Sequence, residues 1–246
     1  MRVVVTGANR GIGLGLVREL MAGDHEVWAA CRNPTEAAAL SALSPAGIVS
    51  LDLSDPASIE ACAGELSKQV NAVDLLINNA GIAWDMSRPL PSTRRDYMST
   101  TPEAMFELFQ VNTVGPYVFT KALLPLLVAA GGSTVCNITS QLGSIQVATA
   151  AITPAARTRD WYADYAYCVS KAGLNMLTAM LARELEPAGV RAIAVHPGWV
   201  RTDGGGADAA IAVEESAAGI VHVLTTGATA NPPSAVINWR GETIPW

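Results

Sequence analysis

Apolar positions along the chain fall into two alternating kinds of run. Residues 2–6 (R-V-V-V-T) form a short β-branched run that ends on glycine. Residues 26–31, 47–52, 73–78, 133–139, 190–196 and 235–238 repeat that pattern. The runs are nearly continuous in apolar character, which marks strands buried on both faces, as in a parallel sheet. Longer segments with helical spacing lie between them. They cover residues 11–22, 55–70 with Pro56 in the first turn, 101–130 with Pro102 in the same place, and 164–186, stopped by Pro187 and Gly189. This alternation predicts an α/β fold: a single-domain Rossmann-type doubly wound parallel sheet of about seven strands, with helices on both faces.

Two stretches interrupt the pattern, residues 84–101 and 147–162. Each follows a predicted strand on the side where α/β folds bind ligands. Loops of this length in a compact domain are usually functional or disordered. Both are read as walls of a substrate pocket, with a mobile surface loop as the alternative for the second.

Length and composition narrow the reading. The 246 residues suit one domain over 1–246, since seven βα units of about 30 residues use roughly 210. Sixteen basic residues face 22 acidic ones with no basic run, which argues against nucleic acid and against an anionic membrane surface as partners. No stretch approaches 18 uninterrupted apolar residues, and the opening M-R-V-V-V-T-G is too short for a signal core. Cys31, Cys62, Cys136 and Cys168 are widely spaced, which predicts free thiols and a cytoplasmic location. His25, His196 and His222 have no metal-ligand spacing, so no metal is expected. The chain also lacks the G-x-S-x-G elbow of common serine hydrolases.

The first chemical motif is T-G-A-N-R-G-I-G, residues 6–13, between a predicted strand and a predicted helix. Gly7, Gly11 and Gly13 permit positive φ or close approach of backbone to ligand. The helix N-terminus then offers free N–H groups and a positive dipole end to a phosphate, which predicts dinucleotide binding. NAD binders commonly place a carboxylate at the end of the second strand. Here Arg32 stands there, and Arg10 lies in the glycine turn. Guanidinium groups engage a 2′-phosphate through charge-assisted hydrogen bonds, so the pair points to NADP(H). The bland reading is two solvated arginines.

Further motifs appear in order. They are Asp52-Leu53 after the third strand, N-N-A-G at residues 78–81 after the fourth, Asn112, N-I-T-S ending at Ser140, Y-C-V-S-K from Tyr167 to Lys171, and H-P-G-W-V-R-T-D at residues 196–203. With these the chain resembles the short-chain dehydrogenase/reductase family over nearly its whole length. C-R-N-P at 31–34, the G-G-G at 204–206, A-V-E-E-S-A-A-G at 212–219 and the final W-R-G-E-T-I-P-W resemble its C-factor and sniffer-type carbonyl reductases.

The residues themselves make chemical sense. Tyr167 and Lys171, four apart, share one helix face. A nearby ammonium lowers the pKa of a phenol and suits it to proton transfer. Ser140 can donate a hydrogen bond to a substrate oxygen as negative charge develops there. The resemblance implies that Lys171 also holds the nicotinamide ribose and that Asn112 positions a water in a proton relay. It further implies that Pro197, Gly198, Val200 and Thr202 contact the nicotinamide end and pyrophosphate. Asp52 and Leu53 would meet adenine, and Asn79, Ala80 and Gly81 would line the cofactor beside Asn9 and Ile12.

Bland readings stand beside these. Tyr162 and Tyr165 lie near but have no lysine four residues on, and the chain has three lysines in all. Thr139 and Ser144 carry hydroxyls close to Ser140, Ser144 being read as a pocket or loop hydrogen bonder. Cys168 is read as a packed thiol, His196 as structural, and Trp84, Trp161 and Trp199 as packed aromatics. Ser140 and Tyr167 are 27 residues apart, about twice the family's common spacing, which bears on substrate shape and subunit contacts. The sequence thus predicts an NADPH-dependent reductase of a small, apolar ketone or aldehyde, or the reverse alcohol oxidation. A homodimer is the assembly the resemblance allows. The alternatives are an NADP-binding regulatory protein of C-factor type with little turnover, and non-redox chemistry on the same fold.

Overall fold

A computed structural model describes residues 1–83, 97, 98, 100–150, 164–226 and 236–246. Strands β1 (Arg2–Thr6), β2 (Glu26–Cys31), β3 (Gly47–Ser50), β4 (Leu75–Asn78), β5 (Ser133–Ile138), β6 (Val190–His196), β7 (Val236–Asn238) and β8 (Thr243–Ile244) form one sheet in the order β3-β2-β1-β4-β5-β6-β7-β8. All neighbours are parallel except β7 and β8. The sheet therefore has eight strands where the sequence predicts about seven. The addition is a two-residue antiparallel edge, too short to leave a hydrophobic pattern.

Successive side chains of a strand point to opposite faces. Val4, Leu76 and Val135 enter a core covered by α3 (Pro56–Gln69), α5 (Gly115–Ala129) and α7 (Tyr165–Leu185). Val3, Val5, Leu75, Ile77 and Cys136 enter a second core covered by α1 (Gly11–Ala22) and α8 (Val213–Thr226). Two buried faces explain the unbroken apolar runs. The sequence reading missed α8, although Glu214 and Glu215 in its first turn and the buried Ala217, Ile220 and Leu224 carry a helical signature. It also missed α2 (Ala38–Ser41) and α6 (Ile145–Ala150). Residues 147–150 are thus helical, not loop; residues 151–163, and residues 84–96 of the other irregular stretch, lie outside the described residues.

The predicted helix over 101–130 is present with one irregularity. Between α4 (Pro102–Phe109) and α5, residues Gln110–Val114 form a π turn that contains Asn112. Pro102–Ala129 is also the one described helix long and apolar enough to cross a membrane. In this fold it packs against α3 and α7.

Candidate active site

The strand order reverses direction between β1 and β4, which is where open α/β sheets bind ligands. The T-G-A-N-R-G-I-G turn follows β1, and N-N-A-G follows β4. Thr6 ties them: its Oγ1 accepts from the Asn79 and Ala80 N–H groups at 3.0 and 2.9 Å. Asn79 Nδ2 donates back to the Thr6 carbonyl at 2.8 Å. Gly7 and Gly11 have φ of +64° and +52°, a region that L side chains enter only with strain. A Cβ on Gly13 would lie 2.1 Å from the Gly7 carbonyl oxygen. This close approach leaves the turn open above α1. Arg10 is the N-cap of α1 and its side chain makes no capping hydrogen bond, so the first-turn N–H groups keep their capacity for an anion. The cradle fits the pyrophosphate of a dinucleotide.

The flanking residues are more committed than the sequence suggests. Arg10 pairs with Asp203, on the segment after β6, and both side chains are more than half exposed. Arg32 is exposed at the end of β2. It acts on Asp52: burial pushes that carboxyl up, but hydrogen bonds from Ser54 and the Arg32 guanidinium hold it below its usual range. The Asp52 carboxylate accepts from both Ser54 N and Ser54 Oγ. Leu53 is packed into the core beneath Gly115, which leaves its side chain no part in the adenine contact that the resemblance implies. Thr202 reaches the glycine turn, with its Cγ2 3.3 Å from where a Gly11 Cβ would stand. Val200 is buried and bridges to Ile211, Gly198 has φ +86°, and the buried Pro197 accepts from Ser216 through its carbonyl.

The predicted proton-transfer residues converge beyond the ends of β4 and β5. Ser140 follows β5, and its hydroxyl interacts with that of Tyr167. Lys171 Nζ lies 5.8 Å from the Tyr167 ring centroid and 3.6 Å from where a Gly81 Cβ would stand. It donates to the Ile138 carbonyl at 2.9 Å. Asn112 is fully buried. Its Nδ2 donates to the Ile82 carbonyl at 2.8 Å and to Ser170 Oγ at 3.0 Å, and its Oδ1 accepts from Ile82 N at 2.9 Å. Both amide hydrogens are therefore spent, and the side chain clamps residue 82 to α7.

One electrostatic expectation is corrected. The lysine does not draw the tyrosine down: burial pushes Tyr167 up to about 12, and the Ser140 hydrogen bond offsets this only partly. Burial brings Lys171 down to about 8. The ammonium gives one of its three N–H donors to the Ile138 carbonyl and lies over the face of the Tyr167 ring, and both charged forms pay for desolvation. Tyr167 thus holds its proton at neutral pH.

The neighbouring groups fall to their bland readings. Thr139 is buried and donates inward to Asn175, and Ser144 Oγ accepts from Val147 N. Tyr165 is exposed and meets the Tyr97 ring edge-on. Trp199 donates to the Gly205 carbonyl. Burial pushes the Cys168 thiol up to about 11, which suits packing and not redox reactivity. Burial takes His196 down to about 4, so its imidazole is uncharged at pH 7. No cluster of metal-binding side chains occurs among the described residues. Trp84, Trp161 and Tyr162 lie outside them.

Comparison with known proteins agrees with this geometry. The family model for short chain dehydrogenases matches residues 1–210. C-signal of Myxococcus xanthus is 34% identical over 176 residues, which is 71% of this chain and 93% of that protein. An NADPH-bound carbonyl reductase from chicken fatty liver superposes with a TM-score of 0.83 at 34% identity, over 100% of this chain and 98% of that one. The carbonyl reductase Sniffer of D. melanogaster gives 0.84 at 29% identity, over 100% and 99%. The chain belongs to the short chain dehydrogenase family of oxidoreductases.

Proposed function

We propose that the protein is an NADP(H)-dependent carbonyl reductase acting on a small, apolar ketone or aldehyde. The observation that carries this reading is a half-buried Tyr167 that keeps its proton beside Ser140 and Lys171, at the open end of a dinucleotide cradle. The cradle would hold NADPH, which would supply the hydride for the carbonyl carbon. Ser140 holds the carbonyl oxygen by a hydrogen bond, and Tyr167 gives it a proton, so the product is the alcohol. A phenol that keeps its proton at neutral pH suits the donor role in reduction. Lys171 sits between Tyr167 and Gly81, where it is placed to hold a ribose hydroxyl and return a proton to the phenolate. Asn112 fixes the wall behind it through Ile82 and Ser170. Arg32, with Arg10 when released from Asp203, supplies the charge for a 2′-phosphate.

An exposed apolar strip of Phe106, Val169, Met176 and Met180 on α4 and α7 suits a homodimer contact. Four cysteines without a disulfide suit a reducing cytoplasm.

The test is titration with NADPH and NADH, repeated on Arg32→Asp. The reading expects NADPH to bind more tightly and the preference to fall or reverse in the variant. Equal binding of both cofactors would remove the roles of Arg10 and Arg32. Kinship with C-signal supports a second reading, a regulatory protein that binds NADP and turns over little. Tight NADPH binding with no turnover across a broad carbonyl panel would select it.

A further inference from the structure

Behind the site, β5 and α7 are joined by a seam of buried polar groups. Three consecutive residues of the β5 end each bond to the helix. Asn137 Nδ2 donates to Thr178 Oγ1 at 2.8 Å, the Ile138 carbonyl accepts from Lys171 Nζ at 2.9 Å, and Thr139 Oγ1 donates to Asn175 Oδ1 at 2.5 Å. On the helix, residues 171, 175 and 178 follow the i, i+4, i+7 spacing of one face. Thr139, Asn175 and Thr178 are almost wholly buried. Asn175 Nδ2 has no partner among the described residues, so the Thr139 bond is the one that orients this amide there.

This bond joins the two halves of the site. Thr139 immediately precedes Ser140, and Asn175 stands one helical turn beyond Lys171. The following turn presses on the same helix: a Cβ on Gly143 would meet the Lys171 backbone at 2.6 Å. Ser140 is 27 positions from Tyr167 and 31 from Lys171 in sequence. A fixed link between strand end and helix is what gives them a single relative placement.

We propose that Thr139 and Asn175 form a positioning pair that sets the register of Ser140 against Tyr167 and Lys171. Neither residue touches substrate or cofactor. Their hydrogen bond acts through the strand end and the helix face that carry the reacting groups. The inference rests on the reductase reading for its kinetic consequence but not for its geometry.

The experiment compares Thr139→Val, Thr139→Ser, Asn175→Leu, the Val/Leu double variant and Thr178→Val. Thr178→Val cuts a bond of the same seam farther from Ser140 and controls for stability alone. Thr139→Val and Asn175→Leu are expected to lower kcat about tenfold or more, since small misplacements of reacting groups are costly. NADPH affinity should stay within about twofold, Thr139→Ser should restore kcat, and the double variant should be no worse than either single. Thr178→Val should lose stability without a matching loss of kcat. Unchanged kcat in Thr139→Val and Asn175→Leu, or an equal loss in Thr178→Val, would overturn the proposal. Should the wild type bind NADPH yet reduce no carbonyl, the reductase reading fails and amide exchange decides the positioning pair. Exchange at Leu142 and Gly143, whose N–H groups bond to Ser140, should speed up in Thr139→Val and not in Thr178→Val. Equal exchange in the two would contradict it.

Discussion

Lys171 donates its ammonium to the main-chain carbonyl of Ile138 at 2.9 Å, two residues before Ser140. The lysine is 5% exposed and has no carboxylate partner among its described contacts. A buried cation held by one carbonyl costs stability and is kept for what it does at the site.

That cost has a sign and a pH window. The unfolded lysine keeps its proton up to about 10.5, the folded one only to about 8. Between those values the unfolded chain binds more protons, so the contribution of this site to stability rises with pH. Below about 8 the full penalty is present, on the order of 3 kcal/mol. Lys171→Met is therefore expected to be more stable than the cofactor-free wild type at pH 7 and to lose activity. Urea midpoints across pH 7 to 10.5 check this: the gap should close as pH rises. A variant less stable than the wild type at every pH would contradict it.

Tyr167→Phe removes the proposed proton donor and little else, since the phenol lies beside Ser140 and the ring is kept. The turnover number should fall by about 10²–10⁴-fold with NADPH affinity retained. Fluorescence titration measured alongside steady-state kinetics separates the two.

Gly13→Ala probes the cradle. Its Cβ would fall 2.1 Å from the Gly7 carbonyl oxygen and 2.6 Å from Asn79 Nδ2, both part of the packed turn. The expected cost is about 1–3 kcal/mol of stability. Cofactor binding should be lost at temperatures where the variant is still folded. Calorimetry with and without NADPH reads both effects.

Asp203→Asn frees Arg10 from its ion pair. Exposed pairs are weak, so the expected gain in NADPH affinity is about two- to fivefold. NADH lacks the 2′-phosphate and should gain less. Equal gains for both cofactors would mean that Arg10 plays no part in telling them apart.

Much of this was legible in the chain. Strands buried on two faces leave unbroken apolar runs, so β1 to β6 could be placed within a few residues. The glycine turn and the Tyr167–Lys171 pair carry spacing that survives reading along a line, whereas Ser140 and Asn112 stand out through the resemblance to the family. What was not legible depends on contacts across the fold. The π turn around Asn112 adds one residue to a helical turn and barely disturbs the apolar stripe. Arg10 is separated from Asp203 by 193 positions, and Thr139 from Asn175 by 36. The pKa of Tyr167 depends on desolvation that spacing to Lys171 does not report. Asn175 did leave one sign: with Lys171 and Thr178 it sets polar side chains at i, i+4 and i+7 along one helix face. Helix α8 has an acidic first turn, but the A-I-A run ahead of Val213 offers no Ser, Thr, Asp or Asn to mark its start.

The most direct test of the central claim is carbonyl-dependent oxidation of NADPH, followed by absorbance, with wild type and Tyr167→Phe on one panel of small apolar ketones and aldehydes. The account predicts NADPH consumption matched by alcohol formation in the wild type and near-complete loss in the variant. A Tyr167→Phe rate close to wild type on every accepted substrate, or no consumption by a wild type that binds NADPH, would contradict it.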